Sequence, residues 1–337
     1  MVFKRLLGSL GVGGPTVDTV LTTGAAAPGG PLSGQVHLKG GSADFDIDHI
    51  ALELVARVED ERGEEEEERF VAFERFTVGG GFRLAEGERL GVPFTVALPW
   101  ETPLTELYGQ SLGIVLGVRT EVSVAGAKDK GDLDRLAVGP LPVQEAILEA
   151  FGQLGFGFES ADLEYGRIGG TGQRLPFYQE IELTPSPQYA HAVNEIEVTF
   201  LATAGGMEVV LEADRRGGLL SGGHDALTRF TVAHDSIHHQ DWQALVDGWL
   251  RQLVEHRSAY AEGSAYGHGD PYAGHHAHHE DHHHDGGHRT GPGPGTAVAV
   301  GAAGLAVGVV GGMVAAEVVD EVGDFFEDDN DDEDGDG

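Results

Sequence analysis

The chain has 337 residues, and its 21 Lys plus Arg stand against 56 Asp plus Glu, so its formal net charge is −35. Proteins bind nucleic acids, which are polyanions, through Lys and Arg, so this charge excludes sequence-independent contact with DNA or RNA. It also disfavours adhesion of a basic surface to anionic lipid. The absence of Cys excludes disulfides, thiolate metal sites and a Cys nucleophile, and it is consistent with a cytoplasmic protein.

The composition of the chain changes near residue 258. From there to the C-terminus, one basic residue, Arg289, stands against 17 acidic ones, and nine of the 17 His lie between His268 and His288. A low-complexity segment of this kind buries too little apolar surface to fold. The sequence therefore predicts a folded part up to residue 257 and a largely disordered tail over 258–337.

The first part of the chain alternates between apolar and polar residues with the period of a β-strand. Its opening, MVFKRLLGSLGVGG, predicts a short helix, and the glycines that interrupt this run make it a poor secretory signal. The segment from Ile50 to Val58 then places alternate apolar residues inward and Glu53 outward, and 92–98 and 116–122 repeat the pattern. Half-buried strands separated by Gly and Pro turns are typical of an antiparallel β-sandwich.

The second part combines two helical segments with further strands. Apolar residues from Val143 to Leu154 follow helical spacing, and Asp241 is a plausible N-cap for a closing amphipathic helix. Strand alternation resumes between these helices in three segments: 179–183, 196–200 and 207–211. The fold class predicted is all-β with short helices, in two β-sandwich domains over 1–139 and 140–257.

Several stretches of the folded part resemble a known family. They are VDTVL, PLSGQVHLKGG, GVPFTVALPWETPLT, RTEVSVAGAKDKGDLD with VGPLP, and HDSIHHQDWQALVDGWL. In this order they are similar to the bacterial sporulation-control proteins, over roughly residues 1–257. The resemblance implies two tandem arrestin-like β-sandwiches and a non-enzymatic regulator or scaffold of sporulation that acts through protein contacts. It brings no catalytic residue to this chain.

Motifs of catalysis are absent or incomplete. No Ser has the glycines of a nucleophile elbow, and no Gly-Lys-Ser/Thr is present for a phosphate-binding loop. The segment HDSIHHQD contains His234, Asp235, Ser236, His238 and His239, which are the residue types of a serine triad. A triad needs groups that converge from a rigid scaffold, so adjacent residues predict a polar turn before the last helix instead.

Two acidic segments are interpreted as connections between strands. In AKDKGDLD, Asp129, Asp132 and Asp134 do not have the spacing of a calcium loop, so the segment predicts a hairpin or loop. The run from Glu64 to Glu68 predicts a solvated hairpin tip. Because the folded part is acidic and poor in Lys, we expect protein partners that are basic, or that dock on an apolar patch or a strand edge.

The His-rich segment 268–288 offers a second hypothesis, transition-metal binding or buffering. Neutral imidazoles bind Zn, Ni and Cu, although a disordered tract selects poorly between them. The candidate ligands are His275, His276, His278, His279, His282, His283 and His284. No cofactor is predicted beyond adventitious Zn or Ni on this tract.

The Gly/Ala-rich segment 297–316 offers a third hypothesis, a peripheral membrane adaptor. Its 20 uncharged residues would span about 30 Å as a helix, but 12 of them are Ala or Gly, which makes insertion marginal. Gly304, Gly308 and Gly312 form a ridge that lets helices approach closely, so soluble self-association and a passive tail remain alternatives. The acidic end, 317–337, is interpreted as solubilising. The predicted location is the cytoplasm, with membrane association as the alternative.

Overall fold

The computed structural model describes most of the folded part of the chain. The described residues are 13–22, 24–60, 67–126, 128–213 and 227–265. Residues 1–12, most of the segment for which a short N-terminal helix is predicted, lie outside them, and so does the tail from residue 266 onward.

The first half of the described chain consists of strands. They are β1 Thr16–Leu21, β2 Pro31–Lys39, β3 Phe45–Asp60, β4 Glu67–Gly79, β5 Phe82–Leu84, β6 Arg89–Ala97, β7 Glu106–Leu107, β8 Gln110–Ser111, β9 Leu116–Val124 and β10 Lys130–Arg135. One sheet has the order β1-β2-β6. In the second, β10, β9 and β3 are neighbours, and β4 and β5 also pair with β3. The β3–β4 hairpin places Asp60 opposite Glu67, so Glu67 and Glu68 belong to the strand, whereas the rest of the predicted tip, 64–66, lies outside the described residues.

The first hydrophobic core lies between these two sheets. Val36 of β2, Leu52 and Leu54 of β3, and Val118 of β9 are fully buried within it. The inward set predicted from strand alternation is therefore confirmed. Burying one side chain of this size contributes about 1.5–3 kcal/mol, so the alternation accounts for much of the stability of this half.

Glu53 lies on the face of β3 opposite the first core, as predicted, but this face is not exposed to solvent. Glu53 is only 8% exposed, and its neighbours Ala51 and Val55 on the same face of β3 are buried too. β3 pairs with β4 on one side and β9 on the other, and arginines from both strands, Arg75 and Arg119, extend over Glu53. Alternation in the sequence indicates which face of a strand is apolar. It does not indicate that side chains from neighbouring strands cover the opposite face.

The second half adds an antiparallel set of strands and two helices. The elements are α1 Pro142–Gln153, β11 Gly157–Glu164, β12 Tyr178–Thr184, β13 Ile196–Thr203, β14 Gly206–Ala213, β15 Thr228–Val232, a 3₁₀ helix His234–His238 and α2 Trp242–Ala265. Strands β11 to β15 follow one another in the sheet. They join the first half where Glu164 of β11 pairs with Glu59 of β3. A single ten-stranded sheet therefore runs through both halves.

The second core lies between the strands β11 to β15 and the two helices. Ile147 of α1 and Leu250 of α2 are fully buried against strand residues such as Val198. The rings of Trp249 and Phe230 stack with centroids 4.7 Å apart. The all-β class and both helices are confirmed, but a second sandwich of two sheets is not, because helices cover the inner face of these strands in the described part.

The closing helix begins as the sequence predicts. The backbone N–H of Ala244 donates to the Asp241 side chain over 3.0 Å, as an N-cap requires. The helix continues to Ala265, beyond the predicted boundary at residue 257. The domain boundaries themselves stay predictions.

Candidate functional site

The hairpin formed by β7 and β8 lies where the two cores meet. Leu107, at the end of β7, packs against both of them. The base of the hairpin is held by Thr105, whose N–H donates to the Val138 carbonyl over 2.9 Å and whose hydroxyl oxygen accepts the Val138 N–H over 2.8 Å. The Leu112 N–H closes the hairpin on the Thr105 carbonyl over 2.9 Å. The hairpin is therefore attached to the first half through backbone bonds.

Side chains also fasten this region to the second half. The amide of Gln179, on β12, accepts the Leu104 N–H over 2.8 Å and donates to the Leu104 carbonyl over 2.9 Å. The Glu101 carboxylate accepts the backbone N–H groups of Arg174 and Leu175. Because Leu104 is fully buried, these bonds give the hairpin little freedom to move relative to either core.

The tip of the hairpin carries an exposed aromatic ring. Tyr108 has a φ of 54° and Gly109 a φ of 74°, which is the pattern of a type I′ turn. Tyr108 is the one non-glycine residue with positive φ in the described part of the chain, and it is 61% exposed. Partial burial, followed by the negative charges of Glu145 and Glu149 on α1, raises the pKa of Tyr108. The exposed ring therefore lies in an acidic environment.

A second concentration of polar groups lies on the outer face of β11 to β14. It comprises Asp162, Glu164, Glu180, Glu197 and Glu212, which we call the acidic face. Strand register produces it, since Asp162 lies opposite Glu180 and Glu197 lies opposite Glu212. Their oxygens form two overlapping triples that share Glu180, each with atoms within 4.8 Å of one another. Such oxygens suit Ca²⁺ or Mg²⁺, although exposed acidic groups are common without an ion.

Protonation explains how the acidic face tolerates so many carboxyl groups. Burial, followed by the charges of Glu197, Asp162, Glu164 and Glu212, raises the pKa of Glu180 to about 10. Glu180 is therefore protonated at neutral pH, which removes one negative charge from the centre of the group. A neutral carboxyl also supplies an O–H donor among groups that otherwise only accept hydrogen bonds.

β1 and β10 are edge strands of the two sheets, and they lie side by side with a cleft between parts of their length. Asp132 bridges the strands where its side chain accepts the Thr19 N–H over 2.5 Å. Beside this bond a cleft of about 300 Å³ is lined by residues 18–21 of β1 and by Asp134 and Arg135. The Oδ2 atom of Asp134 is buried and has no hydrogen-bond partner in the described part of the chain. Burial, then Asp132 and Asp18, raises the pKa of Asp134 to about 7.

The hairpin or loop predicted for the segment with Asp129, Asp132 and Asp134 is the β9–β10 hairpin, although only Asp129 lies between its strands. Asp129 lies in the β9–β10 hairpin, where its carboxylate accepts the Val124 N–H over 3.1 Å. Asp132 and Asp134 belong to β10 and extend toward the edge of the first core rather than into solvent. The sequence shows alternating acids here, but it does not show that a second sheet edge closes over them.

Asp134→Asn is expected to stabilise the protein above pH 7. A folded-state pKa of about 7, against 3.8 when unfolded, favours folding in acid, and this contribution is lost as the pH rises through that interval. Asn carries no charge, so we expect a gain of about 1–2 kcal/mol in the free energy of unfolding at pH 8 and little change at pH 4. Urea denaturation at both pH values measures the free energy of unfolding. An equal change at pH 4 and pH 8 would contradict the raised pKa of Asp134.

The residues of HDSIHHQD bond to backbone carbonyls and stack on a ring instead of facing one another as a triad. His234 Nε2 donates to the Thr203 carbonyl over 2.7 Å, and its ring stacks on Trp100 with centroids 5.2 Å apart. The Ser236 hydroxyl donates to the Ala233 carbonyl over 2.6 Å. The prediction of a polar turn before the last helix is confirmed, because these side chains fix a 3₁₀ helix rather than converge on one another.

The tail candidates lie outside the described residues. These are the seven His between His275 and His284, and Gly304, Gly308 and Gly312. Among the residues that the structure describes, no helix is both long and apolar enough to cross a bilayer.

The fold and the site define the class of this protein as an all-β protein with an acidic surface and an anchored hairpin between its cores. The family described as "SpoOM protein" matches residues 3–217. The "Sporulation-control protein spo0M" of Bacillus subtilis is 38% identical over 221 residues, which are 65% of this chain and 83% of the relative. The crystal structure of Spo0M, sporulation control protein, from Bacillus subtilis matches with a TM-score of 0.64 and 33% identity, over 72% of this chain and 100% of that chain. The chain belongs to the Spo0M family.

Proposed function

We propose that this protein is a non-enzymatic regulator of sporulation that acts through contacts with other proteins. The observation that carries the proposal is the family match over residues 3–217, with a relative named as a sporulation-control protein. The residues that most resemble catalytic machinery, His234 and Ser236, are engaged with backbone carbonyls, which is a structural role.

The surface of the protein favours basic partners. The acidic face collects five carboxyl groups on one side of a sheet, and the exposed tip of the β7–β8 hairpin lies beside two more on α1. Electrostatic complementarity steers encounter and suppresses partners of like charge. A regulator with this surface is expected to associate faster at low salt than at high salt.

The proposal is tested in Bacillus subtilis cells that lack their own Spo0M and express the full chain. We expect the chain to change the frequency of heat-resistant spores relative to an empty vector, and in-cell crosslinking to recover the same partner proteins repeatedly. The control is a chain with a core-disrupting substitution, Leu250→Asp, which is expected to lose both effects. Unchanged spore frequency together with no reproducible partner would overturn the proposal.

The tail supports two further proposals from the sequence. The His-rich segment would handle transition metals, and 297–316 would tether the protein to a membrane. Zinc titration of the intact chain and of a chain without 268–288 tests the first, since stoichiometric binding must depend on that segment. Fractionation of cells with and without 297–316 tests the second, and a purely soluble intact protein would contradict it.

A further inference from the structure

Tyr108 occupies a backbone position that disfavours its side chain. In L-residues with a Cβ the left-handed region is sterically disfavoured, and type I′ turns normally place Asn, Asp or Gly at the first central position. Strain of this kind persists only where the surrounding structure determines the conformation, and it concentrates at functional sites. Here the surroundings do so, through Thr105, Leu107 and Gln179, which hold both sides of the hairpin.

The strained position exposes the ring instead of burying it. Tyr108 has the highest exposure of the large apolar and aromatic side chains in the described part of the chain. A Tyr that served only packing would direct its ring into one of the two cores, as Leu107 does from the preceding position. A rigidly held, exposed aromatic side chain is instead the usual anchor of a protein interface, because it supplies contact area at a low entropic cost.

The charges around the ring specify the chemistry of the partner. Leu107, the neighbour of Tyr108, packs against the second core, which α1 helps to form. Glu145 and Glu149 lie one turn apart on that helix, and their negative charges act on Tyr108. Glu149 is exposed and accepts one hydrogen bond, from Gln153 of its own helix. An aromatic face with carboxylates beside it attracts a guanidinium or an ammonium group, since the ring quadrupole and the carboxylates act in the same direction.

We propose that Tyr108, Glu145 and Glu149 form a docking site for a basic segment of a partner protein, with an Arg or Lys side chain lying on the Tyr108 ring. The site rests on the proposed function, because it names the chemistry of the partner that a regulator of this kind binds. Specificity comes from the rigid hairpin, and the α1 carboxylates orient the cation.

The decisive variant is Tyr108→Asn. Asn-Gly is the preferred pair for a type I′ turn, so this change relieves the backbone strain and is expected to keep or raise the folding stability. It also removes the ring. Tyr108→Phe is the matched control, because it keeps the aromatic face and removes only the hydroxyl group. A purely structural role for Tyr108 predicts no loss of docking in either variant.

The probe is an acetylated and amidated Gly/Ser peptide that carries two Arg residues and one photoreactive Leu analogue, with a citrulline peptide as its neutral counterpart. Full-length protein is crosslinked with each peptide, and the sites are mapped by mass spectrometry. We expect crosslinking of the Arg peptide to α1 to fall about fivefold in Tyr108→Asn and to stay unchanged in Tyr108→Phe. Crosslinks to the acidic segment 317–337 report non-specific attraction and should be equal in all three proteins.

A second measurement, fluorine NMR, follows binding directly at the Tyr108 ring. In protein labelled with 3-fluorotyrosine, the Tyr108 resonance is identified by its absence from Tyr108→Asn. It should shift saturably with the Arg peptide and not with the citrulline peptide, and Glu145→Gln with Glu149→Gln should weaken this binding about fivefold. Glu197→Gln, on the acidic face, should leave it unchanged.

Equal responses to the Arg and citrulline peptides, or undiminished crosslinking to α1 in Tyr108→Asn, would overturn the docking site. The proposed function fails separately. If Tyr108→Asn still recovers the same partners in cells and still changes spore frequency, the regulator remains and only this docking site is wrong. If the wild-type chain does neither, the proposed function is wrong whatever the peptides show.

Discussion

Glu180→Gln is expected to raise the free energy of unfolding by about 2 kcal/mol at pH 8. The folded-state pKa of Glu180 is about 10, against 4.5 for the unfolded chain. Folding therefore favours the protonated carboxyl group, and its contribution is complete below pH 4.5 and is lost as the pH rises toward 10. Each pH unit within that interval costs at most about 1.4 kcal/mol, and screening by water at this half-buried position keeps the sum below that limit. Gln resembles the protonated acid at every pH, so the variant avoids this loss.

Guanidinium denaturation at pH 5, 8 and 9.5 measures this effect. The stability of the wild type should fall steadily over this range, whereas the variant should fall less and differ little from it at pH 5. Asp134 titrates below about pH 7, so a difference that grows between pH 8 and 9.5 belongs to Glu180. Glu86→Gln removes an exposed carboxylate and serves as the control, with an expected change below about 0.5 kcal/mol. A Glu180→Gln variant less stable than the wild type at pH 8 would contradict the protonated state.

Glu53→Ala is expected to destabilise the protein by about 3 kcal/mol. Glu53 is nearly buried and pairs with Arg75 on β4 and Arg119 on β9. Arg75 also pairs with Glu121 over 3.0 Å, and that arginine lowers the pKa of the Glu121 carboxyl group. Removal of Glu53 leaves the half-buried Arg119 without this carboxylate, whereas Arg75 keeps Glu121, so the expected loss lies at the lower end of the cost of breaking a buried ion pair.

Urea denaturation of three proteins separates these contributions. Glu53→Ala should lose about 3 kcal/mol, whereas Glu53→Leu combined with Arg119→Leu should lose less, because no charge of that pair is left without its partner. Glu74→Ala, at an exposed position of β4, is the control and should change stability by less than about 0.5 kcal/mol. If Glu53→Ala changed the free energy of unfolding as little as Glu74→Ala, the ion pairs of Glu53 would not contribute to stability.

The acidic face shows why the candidate site was only partly predictable. Alternation in β12, β13 and β14 places Glu180, Glu197 and Glu212 on the polar sides of their strands. Which carboxyl groups meet depends on the register between strands, and register is set by pairing across the whole sheet. The signal for each strand was therefore present in the sequence, whereas the signal for the cluster was not.

The Tyr108 hairpin was invisible to sequence patterns for a different reason. Its strands have two residues each, too few to show alternation, and Tyr-Gly is not a usual type I′ pair. The conformation of the turn comes from distant groups, above all Val138 and Gln179. Contacts between residues far apart in the chain override local preference here.

The net charge of −35, the alternation of the strands, the two helices and the N-cap at Asp241 could all be inferred from the sequence, because each depends on neighbouring residues. The family could be inferred too, from motifs in order along the chain. The tertiary structure alone decided that Glu53 is buried, that helices cover the second sheet and that an aromatic ring lies exposed beside α1. These features depend on which distant surfaces come into contact, and that is set by the packing of the whole core rather than by any local pattern.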